Sequence, residues 1–260
     1  MLELNIAAYH QALLENQITT EDLVAFYLDR IQHYDKALSS IICVNPAAIA
    51  LAKECDDQLR TTGKLSGSLH GVPVLVKDNI ETSDMPTTAG SLSLEGFRTG
   101  KDADLVKRLK AAGAIILAKT NLHEFAIWGE SISSIKGQTY NPYDLTRTPG
   151  GSSGGTGAAL AANFGLVGIG TDTINSIRSP SSANNLVGIR PTVGLVSDDG
   201  IVPYSLTQDT AGPMARNVAD AVAVLKVIAV QDLPEVHVSD CQRIGVLRSF
   251  FGSEPINAEV

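Results

Sequence analysis

The residues of this chain that invite chemistry cluster in the stretch 149–178. Pro149-Gly150-Gly151-Ser152-Ser153-Gly154-Gly155-Thr156-Gly157 leads through the small-residue run Ala158-Ala159-Leu160-Ala161-Ala162 to Gly170-Thr171-Asp172-Thr173-Ile174-Asn175-Ser176-Ile177-Arg178. Two serine-bearing turns bracket one short apolar element. Glycine at this density lets backbone N–H groups approach a bound group closely, and an Ala/Leu helix is thin enough to pack tightly behind the turns. A flexible Gly/Ser linker would not run straight into a helix and then the strand-like Leu166-Val167-Gly168-Ile169. A phosphate loop of the Walker type needs a Gly-Lys-Ser/Thr ending that is absent here. Chemistry could therefore sit on both ends of this element.

Lys77 is the second candidate. It follows the apolar run Val74-Leu75-Val76 and precedes Asp78-Asn79. An ammonium there is partly withdrawn from water, and burial without a partner favours the neutral amine, the form a lysine base requires. A structural ion pair with Asp78 or Asp172 accounts for the same residue equally well on periodicity alone. Asn79, Lys119, Asn121 and His123 also fall just past strand ends, where sheets of α/β proteins gather ligand chemistry. Of these, Lys119 reads as a surface lysine and His123-Glu124 as a cap pair.

The elements that must position these groups come from a chain of 260 residues, 44% of them hydrophobic. That length hides roughly 70–75% of its unfolded surface, enough for one sizeable core and a single domain. The net charge of −8 and scattered Lys/Arg residues supply no basic face for phosphates, so direct nucleic-acid or anionic-membrane binding is not expected. Cys43, Cys55 and Cys241 are odd in number and widely spaced, which argues against a disulfide framework and against a zinc site and suits buried thiols. No basic leader or run of ~20 apolar residues is present, and a cytoplasmic setting is the expectation.

Helices are expected first, over residues 1–35: a short amphipathic piece at Ile6-Ala7-Ala8 and Leu13-Leu14, then one capped at Thr19-Thr20 with Leu23, Phe26, Tyr27 and Ile31 at helical spacing. Ile41-Ile42-Cys43-Val44 reads as a strand. Asn45-Pro46 then opens a helix over 47–59, ended by Gly63. A strand ending at Lys77, a helix over 104–112 stopped by Gly113, and a strand over 114–118 give the strand–helix–strand order of a sheet covered on both faces. Later come a helix start at Ser179-Pro180, a turn at 188–192, an extended edge at 201–205, a helix over 218–230 capped by Asn217, and a strand at Ile244-Gly245-Val246-Leu247.

In order and spacing, Lys77-Asp78-Asn79, Lys119-Thr120-Asn121-Leu122-His123-Glu124-Phe125, Gly150-Gly151-Ser152-Ser153-Gly154-Gly155, Gly170-Thr171-Asp172 with Ser176-Ile177-Arg178, Gly188-Ile189-Arg190-Pro191-Thr192 and Gln208-Asp209-Thr210-Ala211-Gly212-Pro213 resemble the amidase signature enzymes. The resemblance covers nearly the whole chain. It implies an α/β fold with a mixed sheet between helices, and hydrolysis of a linear amide by a Ser–Ser–Lys arrangement. By motif position Ser176 is the nucleophile, Ser152 the relay and Lys77 the base. The resemblance also implies a cis peptide at Gly151–Ser152 and an oxyanion hole of backbone N–H groups from Thr173, Ile174, Asn175 and Ser176. Ser153, Asp172 and Arg178 support the turns. Neither a metal nor a cofactor is called for.

The chain departs from the family pattern where Ile174-Asn175 stands in place of the usual Gly-Gly. A β-branched residue resists positive φ, so Ile174 must hold another dihedral or strain, with its side chain projecting toward substrate and narrowing the acyl pocket; loss of activity is the alternative. The resemblance further implies that 260 residues form an N-terminal portion of a longer enzyme, with Asn257-Ala258-Glu259-Val260 reading as a helix beginning. Three functions remain open: a free-standing hydrolase of small amides, which is favoured; the ammonia-generating A subunit of a glutamyl-tRNA(Gln) amidotransferase; and an inactive amidase-fold interaction protein. The expected partner is a small-molecule amide, with a homo-oligomer or a missing C-terminal part as the protein alternatives.

Overall fold

A computed structural model describes residues 1–233; the strand expected at 244–247, the helix beginning at 257–260 and Cys241 lie outside the described residues. Helices α1 (Ile6–Leu14) and α2 (Thr20–Leu38) open the chain. Thr19 caps α2 in a reciprocal arrangement with Asp22, each side chain taking the other's backbone N–H. Strand β1 (Ile41–Val44), helix α3 (Ala48–Thr62), strand β2 (Pro73–Lys77), helix α4 (Asp104–Ala111) and strand β3 (Ile115–Thr120) follow. Asn45 does not cap α3 directly: its carboxamide accepts the Ala47 N–H at 2.9 Å and donates to the Ile116 carbonyl at 2.8 Å, tying the start of α3 to β3.

After a two-stranded ribbon, β4 (Ile132–Ser133) and β5 (Gly137–Gln138), come α5 (Gly154–Ala161), β6 (Val167–Asp172), α6 (Arg178–Ala183), β7 (Val187–Gly188), β8 (Thr210–Ala215) and α7 (Val218–Ile228). The main sheet has the order β1-β3-β2-β6-β8-β7. Its centre, β3-β2-β6, is parallel; β1, β8 and β7 run antiparallel to their neighbours. Strands β2, β3, β6 and β8 are buried along their whole length, as a sheet covered on both faces requires. Helix α5 packs on β2, β3 and β6, whereas α4 and α7 pack on each other and on β3, β6 and β8.

Three expectations change. Residues 201–205 form no strand; Ile201 makes a single bridge to Ile80. Strand β8 has no counterpart in the sequence reading, because Gly212-Pro213 carries a turn signature and proline lacks a ladder donor. Pro213 is nevertheless accommodated between β6 and β7, opposite Ile169 and with its carbonyl accepting the Ile189 N–H at 3.0 Å. Cys43 and Cys55 are half-buried free thiols, not fully buried ones.

Candidate active site

The parallel strands β2 and β6 end side by side, and the loop into α5 crosses above them. Helix α5 fits there only because it is thin. A Cβ on Gly154 would collide with Ser131 Oγ, one on Gly155 with the Asn121 carbonyl oxygen, and one on Gly157 would lie 2.8 Å from Asn184 Nδ2. These glycines lower intrinsic helix propensity, so packing rather than propensity holds the helix. The loop before it contains the cis peptide Gly151–Ser152. Ser131 Oγ, which donates to the Gly150 carbonyl at 2.8 Å and accepts the Gly154 N–H at 2.9 Å, clasps both ends of that loop.

Lys77 is fully buried at the end of β2. Its Nζ lies 2.7 Å from Ser152 Oγ, 2.8 Å from Thr171 Oγ1 and 3.4 Å from the Thr171 carbonyl. The carboxylates that could have paired with it are engaged elsewhere. Asp78 pairs with Lys119 at 3.0 Å, and Asp172 with Arg178 at 3.3 Å and Arg190 at 3.1 Å. Burial therefore lowers the Lys77 pKa to about 7, a shift that the fields of Asp172 and Asp209 oppose without cancelling. The ion-pair reading of Lys77 is set aside on this geometry, and so is the reading of Lys119 as a surface residue, since both lysines are fully buried.

The turn after β6 is held from both ends. Burial works against the ionised form of Asp172, but hydrogen bonds from Arg178 and from the Ile177 N–H, at 2.9 Å, outweigh it and hold the carboxyl below its ordinary range. Arg178 also reaches back to the Ile174 carbonyl. Between these anchors the N–H groups of Thr173, Ile174, Asn175 and Ser176 donate no hydrogen bond among the described residues. Neither Ile174 nor Asn175 is left-handed, so the β-branched side chain sits there without backbone strain. Ile174 is 69% exposed and lines a cleft of about 470 Å³ with Ile127, Trp128, Glu130, Thr148, Tyr204 and Ser176.

Ser176 is 8% exposed, and its carbonyl accepts the Ser153 N–H at 3.3 Å. Ser153 Oγ donates to the Thr171 carbonyl at 3.1 Å and accepts the Thr171 N–H at 3.3 Å, locking the first serine turn onto β6. Lys77, Ser152, Ser153, Asp172 and Arg178 thus converge with the 173–176 turn. A direct hydroxyl contact between Ser152 and Ser176 is not among the hydrogen bonds formed by the described residues. His123 sits beside the group as a backbone donor, its N–H reaching the Ser152 carbonyl at 3.0 Å. Burial lowers its imidazole pKa. Thr171, Asn79, Ser131 and Asp209 carry contacts that motif reading does not assign. For Thr171 the available signal is a hydroxyl at the end of a buried apolar strand.

Residues 22–255 match the amidase family model. The chain is 43% identical over 217 residues to the glutamyl-tRNA(Gln) amidotransferase A subunit of Corynebacterium jeikeium, covering 83% of this chain and 43% of that protein. The structure of the peptide amidase of Stenotrophomonas maltophilia superposes with a TM-score of 0.85 at 45% identity, over 92% of this chain and 52% of that one. An amidase family protein of Bacillus anthracis superposes with a TM-score of 0.84 at 36% identity, over 89% of this chain and 47% of that one. The chain spans about half the length of the curated relatives it matches.

Proposed function

The chain belongs to the amidase family, and from that premise we propose that it cleaves the C–N bond of a linear amide by acyl transfer through Ser176. The observation that carries this reading is Lys77: a buried amine with no carboxylate of the described residues in contact, 2.7 Å from Ser152 Oγ, with its pKa lowered to about 7. Serine is a weak nucleophile until a base takes its proton, and a lysine neutral near pH 7 can do so without histidine. Ser176 Oγ attacks the amide carbon; its proton passes to Ser152 as Ser152 gives its own to Lys77 Nζ. The free N–H groups of the 173–176 turn receive the oxyanion, donors worth ~2.7–4 kcal/mol each in a transition state. Collapse expels ammonia or an amine on a proton returned through Ser152, leaving an ester. Water activated by the same relay then releases the acid.

We treat residues 1–260 as one amidase domain acting in the cytoplasm on a small-molecule amide. No helix among the described residues is long and apolar enough to cross a membrane, and the net charge of −8 leaves contact with nucleic acid to any partner. A screen of linear amides for released ammonia, run with Ser176→Ala as control, tests the reading. Turnover that survives in Ser176→Ala would overturn it. The likeness to amidotransferase A subunits keeps a second function open, ammonia release from glutamine for delivery to partner chains. Glutamine hydrolysis that rises on adding such partners would favour that function. An inactive scaffold, the third, predicts no reaction of Ser176 with a serine-directed phosphonate.

A further inference from the structure

Asp209 stands one step beyond the last pair of the β6–β8 ladder, Asp172 with Thr210, so that it faces Thr173 across the strand ends. Its carboxylate is a junction. One oxygen accepts the Thr173 hydroxyl. The other accepts the N–H of Tyr204 at 2.7 Å and of Ser205 at 2.9 Å. Its own N–H donates to the Ser205 carbonyl at 3.0 Å, closing a tight turn over the same segment. Thr173 begins the turn that carries Ser176, and Tyr204 lines the cleft beside Ser176. The nearby Arg190 is committed to Asp172 at 3.1 Å, the Gln208 carbonyl at 2.9 Å and the Thr173 carbonyl at 3.5 Å.

We propose that Asp209 is a positioning residue for acyl transfer, clamping the Thr173 end of the nucleophile turn to the Tyr204 wall and so setting both the aim of the turn's N–H groups and the width of the cleft. The proposal rests on the acyl-transfer reading of Ser176. A carboxylate suits this junction because both of its oxygens accept, and three donors converge on them. An asparagine would turn its NH₂ toward at least one of those donors. The carboxylate has a second consequence, since with Asp172 it is one of two anions whose fields favour the ammonium form of Lys77. The charge of Lys77 also contributes to lowering the His123 pKa, after burial.

The test uses the whole chain and a fluorophosphonate probe, whose rate of attachment to Ser176 reports nucleophile activation without a known substrate. Asp209→Asn is expected to slow labelling about 10²-fold, as small misplacements of reacting groups do. It should also move the acid limb of the labelling rate to lower pH and speed amide hydrogen exchange at Tyr204 and Ser205. Thr173→Val, which removes only the hydroxyl arm, should slow labelling about tenfold, the rate equivalent of one hydrogen bond, and leave the pH limb in place. Wild-type labelling rates in both variants, or an unmoved pH limb in Asp209→Asn, would overturn the proposal. If Asp209→Asn does not fold, Thr173→Val decides alone: slower labelling supports the clamp and an unchanged rate removes it. Failure of the unmodified chain to label at Ser176 is a separate outcome. It removes the acyl-transfer reading and the catalytic role of the clamp with it.

Discussion

Lys77 ends β2 and Lys119 is the last residue but one of its parallel neighbour β3, and neither is reached by water. Val76 pairs with Lys119 and Lys77 with Thr120, so one residue of register separates the two lysines and sends their side chains to opposite faces of the sheet. On one face Lys119 Nζ meets the Asp78 carboxylate at 3.0 Å, Thr87 Oγ1 at 2.9 Å and the Pro86 carbonyl at 3.1 Å. On the other, Lys77 meets only hydroxyls and a carbonyl among the described residues. The same side chain at the same depth thus pairs with a carboxylate in one place and is an amine with a pKa of about 7 in the other. What separates them is a carboxylate in contact, because burial disfavours a charge that lacks a counter-charge.

The sharpest way to break the comparison is to remove each amine in turn. Lys77→Met is expected to lower amide turnover by about 10²–10⁴-fold, the usual worth of a positioned general base, while the fold persists. Lys119→Met should do the reverse. It leaves the buried Asp78 carboxylate without its cation, held only by the N–H and hydroxyl of Thr88 among the described residues, a loss of about 3–5 kcal/mol of folding stability, readable in a urea titration. If Lys119→Met proved as soluble and stable as the parent but inactive, the assignment of roles would be inverted.

A pH experiment sharpens the contrast further. The unfolded chain keeps the Lys77 proton up to the ordinary lysine value of 10.5, and the folded chain releases it near 7. Between those values unfolding takes up a proton, so this lysine makes stability rise with pH across the window, and its penalty is fully present below the folded value. Stability measured at pH 7.5 and 9.5 should therefore climb more in the parent than in Lys77→Met. Catalysis should follow the same group, with kcat/KM rising through pH 7 as the amine is freed. Equal pH slopes in the two proteins would mean that Lys77 is already charged in the fold.

Half of this contrast is legible in the sequence. A lysine closing an apolar run points to Lys77, and the order of glycine and serine motifs points to Ser152 and Ser176. Lys119 closes an equally apolar run, yet periodicity ends where the polar residues begin and cannot tell a strand that continues inward from one that emerges. β3 continues through Thr120 and takes Lys119 inside. The pairing of Asp78 with Lys119 instead of Lys77 follows from strand register, which no local pattern reports. Strand β8 is hidden for a related reason, since Gly212-Pro213 carries a turn signature and only the neighbouring strands make it a ladder. Asp209 and Thr171 belong to recognisable motifs, but their work lies in contacts between segments that are far apart along the chain.

The smallest expected effect probes the hydroxyl beside each amine. Thr87 Oγ1 accepts from Lys119 at 2.9 Å and Thr171 Oγ1 accepts from Lys77 at 2.8 Å. Thr→Val is nearly isosteric and removes the acceptor at each site. At Lys119 the ammonium keeps Asp78 and the Pro86 carbonyl. Thr87→Val should therefore cost about 1–2 kcal/mol of stability and leave the pH dependence of turnover untouched. At Lys77 no carboxylate of the described residues is there to fall back on, and Thr171 Oγ1 also accepts from Asn79 Nδ2 at 3.1 Å, so its loss leaves two buried donors short of a partner. Removing an acceptor disfavours the protonated amine more than the neutral one, which lowers the Lys77 pKa further and shifts the acid limb of kcat/KM to lower pH. Profiles of the two variants, collected in the same buffers, should diverge in this way. A limb displaced equally in both, or in Thr87→Val alone, would mean that the carboxylate in contact is not what separates the two lysines.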